Sequence, residues 1–276
     1  MSKKLTQLSY ILLILLFTFS TQRRLVTTET KIMCIGDSIT DGYGTEGSYR
    51  KFLYNLLVTD GFTIDMVGPV YTWGMATYSS DEEEFTYDPA HCGYSAYAIK
   101  AYGGRSGILE TIKNGNYVSE YKPNVIILQI GTNDVIDKYD IENAGNRLQE
   151  LAEYILGNIT EEDLLFITTI PNLDPNREEV YSWFSNYRHS DDWSTKYSDE
   201  DVEKNVQKNV DNYNEQVKGV VEKLNKNGHK NVFFGNVNSA ISDVTTQLKD
   251  GVHPNDIGYK LMGQYWFEYL LPYLRK

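Results

Sequence analysis

Apolar residues fall into two alternating patterns along this chain. Short continuous runs of strand length occur at residues 32–35, 63–67, 125–130, 164–170 and 232–237. Between them, apolar residues recur every three or four positions. Leu148, Leu151, Ala152 and Ile155 share one face of a helix over residues 144–156, and Val202, Val206, Val210, Tyr213, Val217, Val220 and Leu224 mark a longer helix. Further helices are expected at residues 48–57 and 256–271. Strands alternating with helices predict an α/β domain with a parallel sheet and helices on both faces. The runs are apolar throughout rather than at every second position, which fits strands buried on both sides.

Two stretches break this rhythm. Residues 71–97 are long, aromatic and acidic, and residues 171–198 are similar, with Tyr181, Trp183, Phe184, Tyr187, Trp193 and Tyr197. Long loops inside a compact domain are usually functional or disordered, and so many aromatic residues argue against disorder. Their rings suit stacking on a substrate, a lid or a satellite hydrophobic cluster. The amino terminus differs again. Lys3 and Lys4 precede an apolar run at residues 10–17, followed by Thr18, Ser20 and Thr21. This order reads as a secretory signal peptide over residues 1–22, with the functional domain over residues 30–276 and a secreted destination. The apolar core is shorter than the ~20 residues of a spanning helix. Arg23 and Arg24 leave an uncleaved anchor as the alternative.

Composition narrows the partners. The 276 residues suffice for one sizeable α/β domain, and the formal charge of -12 argues against non-specific nucleic-acid binding, which needs a basic footprint. Cys34 lies in the first apolar run and reads as a small core residue. Cys92 lies in a loop that could approach the end of that run, so a bridge between them stays open. Neither cysteine has metal-site spacing. Asn158-Ile159-Thr160 is a glycosylation sequon.

Three segments could carry chemistry. Gly36-Asp37-Ser38 follows the first strand and precedes a helix, so Ser38 sits at the carboxyl end of a strand, where an open α/β sheet places its ligands. Gly131-Thr132-Asn133-Asp134 follows the central strand, and the Asn133 amide could donate to a developing oxyanion. Asp250-Gly251-Val252-His253-Pro254-Asn255 places a carboxylate three residues before an imidazole. Asp250 can then hold the orientation of His253, while Asn255 or Asp256 caps the last helix. A weaker segment, His91-Cys92-Gly93-Tyr94-Ser95-Ala96-Tyr97, has small residues that would let a backbone N–H approach a bound carbonyl. Gly104-Arg105-Ser106-Gly107 looks like a nucleophile motif in passing, but it lacks the glycine spacing and a preceding strand, so Ser106 is discounted.

In combination and order, these segments resemble the SGNH (GDSL-type) hydrolase family. The resemblance implies a flavodoxin-like three-layer α/β/α sandwich with a central, mostly parallel five-stranded sheet. It implies Ser38 as nucleophile, His253 as base, Asp250 as its orienting carboxylate and Asn133 as an oxyanion donor. The second segment departs from the family, which has glycine where Ser95-Ala96 stands here. Alanine keeps the N–H but adopts positive φ at greater cost than glycine. Either the backbone at Ala96 is ordinary, or Gly93 supplies the second donor. Within the family, the chain looks most like carbohydrate acetylesterases such as acetylxylan esterases. That likeness implies deacetylation of a plant polysaccharide or oligosaccharide, with no metal or organic cofactor and no membrane for the mature form unless the leader stays uncleaved. A lipid esterase or lysophospholipase, a non-catalytic glycan-binding module and an acyltransferase are the alternatives.

Overall fold

The computed structural model describes residues 29–71, 74–185 and 199–275. The leader at residues 1–22 and the ring-bearing positions Tyr187, Trp193 and Tyr197 lie outside the described residues. The predicted strands are present as β1 (Thr30–Gly36), β2 (Ile64–Met66), β6 (Val125–Gln129), β7 (Leu164–Thr168) and β8 (Val232–Gly235). They pair in parallel in the order β2-β1-β6-β7-β8. A sixth strand, β5 (Cys92–Gly93), also pairs in parallel with β1, at Ile35 and Gly36, beyond the end of β2. With two residues it is too short to leave a pattern in the sequence.

Successive residues of β1 and β6 face opposite sides, so the apolar runs feed two cores. Met33, Ile35, Ile126 and Leu128 pack beneath α3 (Ile108–Gly115), α6 (Ala144–Leu156) and α8 (Asp199–Lys226). Ile32, Cys34, Val125 and Ile127 pack beneath α2 (Ser48–Thr59) and α10 (Asp256–Leu274). The result is the expected α/β/α sandwich. The same alternation decides the cysteine question. Cys34 belongs to one core and Cys92 to the other, so the sheet separates them; both are buried free thiols. Burial pushes Cys34 up to about 11 and Cys92 up to about 12. No helix among the described residues is long and apolar enough to cross a membrane.

The first aromatic stretch is not an irregular loop. It forms an antiparallel hairpin of β3 (Ala76–Ser79) and β4 (Glu84–Tyr87), which lies against α2. Tyr78 and Phe85 meet Phe52 edge-on, with centroids 5.2 and 6.0 Å away, and Lys51 Nζ sits 4.0 Å from the Tyr78 centroid. These rings form a satellite cluster.

Candidate active site

Gly36 ends β1 where the chain must turn. A Cβ there would lie 2.2 Å from the Gln129 carbonyl and 2.3 Å from Thr40 Oγ1, so only glycine fits between the strand ends. Asp37 then caps the short helix α1 (Ser38–Asp41), its carboxylate accepting from the Ile39 N–H at 3.0 Å. Ser38, the first residue of that helix, is 7% exposed. The turn thereby presents Oγ at the carboxyl edge of the sheet.

The last segment arrives from 215 residues away. His253 Nε2 lies 2.8 Å from Ser38 Oγ, and His253 Nδ1 lies 2.7 Å from Asp250 Oδ2. With the ring proton on Nδ1 directed at Asp250, Nε2 accepts from the Ser38 hydroxyl. The second Asp250 oxygen accepts from the backbone N–H groups of Val252 and His253, at 3.1 and 2.8 Å. The carboxylate therefore fixes both the ring and the turn that carries it. Gly251 allows that turn: its φ is +86°, and a Cβ there would press on Arg177 and Val180. Asn255, rather than Asp256, caps α10, accepting from the Gly258 N–H at 3.1 Å; Asp256 instead pairs with Lys51 Nζ at 2.7 Å. Burial opposes the charge on Asp250, but the hydrogen bonds from the His253 ring and backbone outweigh it and hold the carboxyl at about 2.

Ser38, His253, Asn133 and Ala96 line one cleft of about 310 Å³, together with Tyr43, Ser95, Arg105, Thr132, Ile136, Asp137 and Val252. Asn133 lies on α5 (Thr132–Ile136), just beyond β6. Its Nδ2 donates to the Tyr97 carbonyl at 2.8 Å, which leaves the second amide hydrogen for the cleft. Ala96 adopts a φ of +67°, so the left-handed backbone is kept despite its Cβ. Its N–H finds no acceptor among the described residues. Gly93 lies outside the cleft lining, and its N–H donates to His91 Nδ1 at 3.0 Å. A Cβ at Gly93 would meet the Asp41 N–H nitrogen at 2.6 Å, so this glycine serves close packing. His91 is buried, and burial lowers its pKa to about 2. Ser106 is absent from the cleft lining.

Sequence reasoning missed Arg105 and Asp137. The Arg105 guanidinium donates to the Ala96 carbonyl at 2.8 Å and to Asn133 Oδ1 at 3.3 Å, and it pairs with Asp137. Tyr102 adds its hydroxyl to Asp137 at 2.9 Å. One cation thus ties together both elements that face Ser38 across the cleft. No local signal marks it, because its partners come from separate segments. A second tie runs through Asp134, whose Oδ2 accepts from the Ile99 N–H at 3.0 Å while Arg147 Nη2 binds Oδ1 at 3.1 Å. Tyr43 was missed as well; its ring lies 4.9 Å from that of His253.

Known proteins bear out the fold and the family. A family profile described as GDSL-like Lipase/Acylhydrolase matches residues 32–266. A multidomain esterase of Ruminococcus flavefaciens is 38% identical over 251 residues, covering 89% of this chain but only 29% of that protein. Among solved structures, a family 3 carbohydrate esterase of Clostridium thermocellum aligns with a TM-score of 0.61 at 24% identity, over 90% of this chain and 98% of that one. A catalytic mutant of Axe2, an acetylxylan esterase from Geobacillus stearothermophilus, aligns with a TM-score of 0.55 at 14% identity, over 89% and 96% of the two chains. At these identities the two structures speak for the fold, while the profile spans almost the whole sandwich. The chain belongs to the GDSL-like lipase/acylhydrolase family.

Proposed function

We propose that the protein is a secreted serine esterase that removes acetyl groups from carbohydrate, with acetylated xylan or a related plant polysaccharide as substrate. The observation that carries this reading is the continuous relay from Asp250 through His253 to Ser38, opening into a small cleft. His253 takes the Ser38 proton as Oγ attacks the acetyl carbonyl, and Asp250 stabilises the imidazolium. The tetrahedral oxygen is held by the N–H groups of Ser38 and Ala96 and by the Asn133 amide. His253 next protonates the departing sugar alkoxide. Water, deprotonated by the same ring, cleaves the acetyl-serine and releases acetate. The acidic wall provided by Asp137, neutralised by Arg105, makes one side of the cleft polar. A short acyl group suits such a wall better than a long apolar chain, which favours an acetylesterase over a lipid esterase. The charged, apolar and small-residue order at residues 3–21 supports export.

The test is acetate release from acetylated xylan by the wild type and Ser38→Ala. The wild type should release acetate and the variant should lose nearly all of it; equal rates would remove Ser38 from its role. Turnover of acetyl and octanoyl esters, compared side by side, should favour acetyl. A preference for octanoyl would point to the lipid reading.

A further inference from the structure

We infer that Tyr43 is a positioning residue for His253: its ring, strapped in place by Lys249, keeps the imidazole aligned on Ser38 during turnover. This inference rests on the serine-esterase reading above and adds to it a residue outside the relay. The two nitrogens of His253 are held by Asp250 at 2.7 Å and by Ser38 at 2.8 Å. Hydrogen bonds at ring nitrogens run in the plane of the ring. Together they fix its edge but leave it free to rock about the line that joins the two partners. A contact beside that line has to stop the rocking. The Tyr43 ring supplies one, at 4.9 Å between centroids and an interplanar angle of 44°, which is contact distance for an aromatic pair.

The chain builds this contact from both sides. Gly42 ends α1 in the left-handed region, at a φ of +95°. The chain thereby turns back, and the N–H groups of Gly42 and Tyr43 both reach the Ser38 carbonyl, at 2.9 and 3.0 Å. Tyr43 therefore hangs from the residue that carries the nucleophile. On the other side, the Lys249 N–H donates to the His253 carbonyl at 2.8 Å. The Lys249 side chain then crosses to the tyrosine loop, where Nζ donates to the Gly44 carbonyl at 3.3 Å and lies 5.8 Å from the Tyr43 centroid. The nucleophile's loop and the histidine's loop are thus clasped by a ring and a lysine as well as by the relay itself.

Burial of the tyrosine itself does not account for this placement. Tyr43 is 56% exposed and belongs to neither core, whereas the imidazole that it flanks is 7% exposed. A large ring that stands half in solvent gives the fold little, and truncating it hollows out neither core. Its contact with His253 acts at the one side chain that must hold its orientation while it takes a proton and returns it.

Ethyl acetate, which carries neither a sugar nor any other ring, separates this role from contact with carbohydrate. Tyr43→Ala should lower kcat about tenfold while KM changes by less than about twofold, because misalignment acts on proton transfer rather than on binding. Tyr43→Phe should keep kcat within about twofold of the wild type, since the ring and not the hydroxyl meets the imidazole. Lys249→Met should give a smaller loss, and adding it to Tyr43→Ala should cost nothing further, the mark of two groups acting as one. A raised KM with kcat unchanged, no rescue by phenylalanine, or losses that multiply in the double variant would overturn the inference. Equal hydrolysis of ethyl acetate by the wild type and Ser38→Ala would remove the esterase reading instead. Thermal melts would then decide the contact: Tyr43→Ala should lower Tm less in a His253→Ala background than in the wild type, and equal losses in the two backgrounds would overturn it.

Discussion

At the residue scale, the site is governed by where hydrogen bonds leave spare capacity. Asn133 spends one amide hydrogen on the Tyr97 carbonyl, a bond that aims the other. Asn133→Ala should lower kcat by about 100-fold, with little change in KM, because the lost donor acts on the developing oxyanion. Steady-state kinetics on an acetyl ester would check this, and a change in KM alone would contradict the role. Ala96 presents the reverse case, a side chain in a conformation meant for none. Its φ of +67° carries a Cβ penalty of roughly 1–2 kcal/mol. Ala96→Gly removes that penalty but loosens the unfolded chain by about 0.4–1 kcal/mol. Stability should therefore stay level or rise slightly; a loss of about 1 kcal/mol in denaturant unfolding, the ordinary effect of such a change, would show that the strain is not felt.

At the element scale, the side of the cleft proposed to hold the oxyanion is assembled from a loop and a short helix that share no regular hydrogen bonding. Arg105 joins them by binding Ala96, Asn133 and Asp137 together. Lysine keeps the charge but lacks the planar fork needed for three acceptors. Arg105→Lys should lower kcat roughly 10- to 100-fold by misplacing the donors, with a smaller effect on KM. Equal loss in both constants would argue for a binding role. Asp134 anchors the same loop from below. It is fully buried, and burial raises its carboxyl to about 6, against the pull of the Ile99 N–H and Arg147. Replacing Arg147 with methionine would strand that carboxylate and should cost about 3–5 kcal/mol in chemical denaturation. A loss of under 1 kcal/mol would mean that the Ile99 N–H is enough by itself.

For the whole molecule, the relay ties stability to acid pH. Asp250 ionises at about 2 when folded, against 3.8 as the ordinary value. The folded state thus keeps a charge that the unfolded chain gives up first. The resulting stabilisation is complete above pH ~4 and is lost as pH falls from about 4 to about 2. Asp250→Asn should flatten the stability curve over that window, as read by thermal melts at successive pH values; an unchanged slope would show that the His253 contacts do not favour the ionised form. Asp134 acts with the opposite sign, since its raised value makes its contribution fall as pH rises from about 4 to about 6.

Much of this protein was legible in its sequence because the deciding signals are local. Burial on both faces leaves unbroken apolar runs, so five strands alternating with helices in a parallel sheet could be read directly, and the Asp37 cap, the bond from Asp250 to the His253 backbone and the Asn255 cap each act over two or three positions. Other features needed the folded chain. The two-residue strand β5, the aromatic hairpin against α2, the separation of Cys34 from Cys92 by the sheet, and the choice of Ala96 over Gly93 at the cleft depend on partners far along the chain. Arg105 is the clearest instance, since nothing beside it predicts that Ala96, Asn133 and Asp137 will converge on its guanidinium. Periodicity and turn chemistry report the forces between near neighbours, whereas only packing the two cores on the sheet decides which distant groups meet.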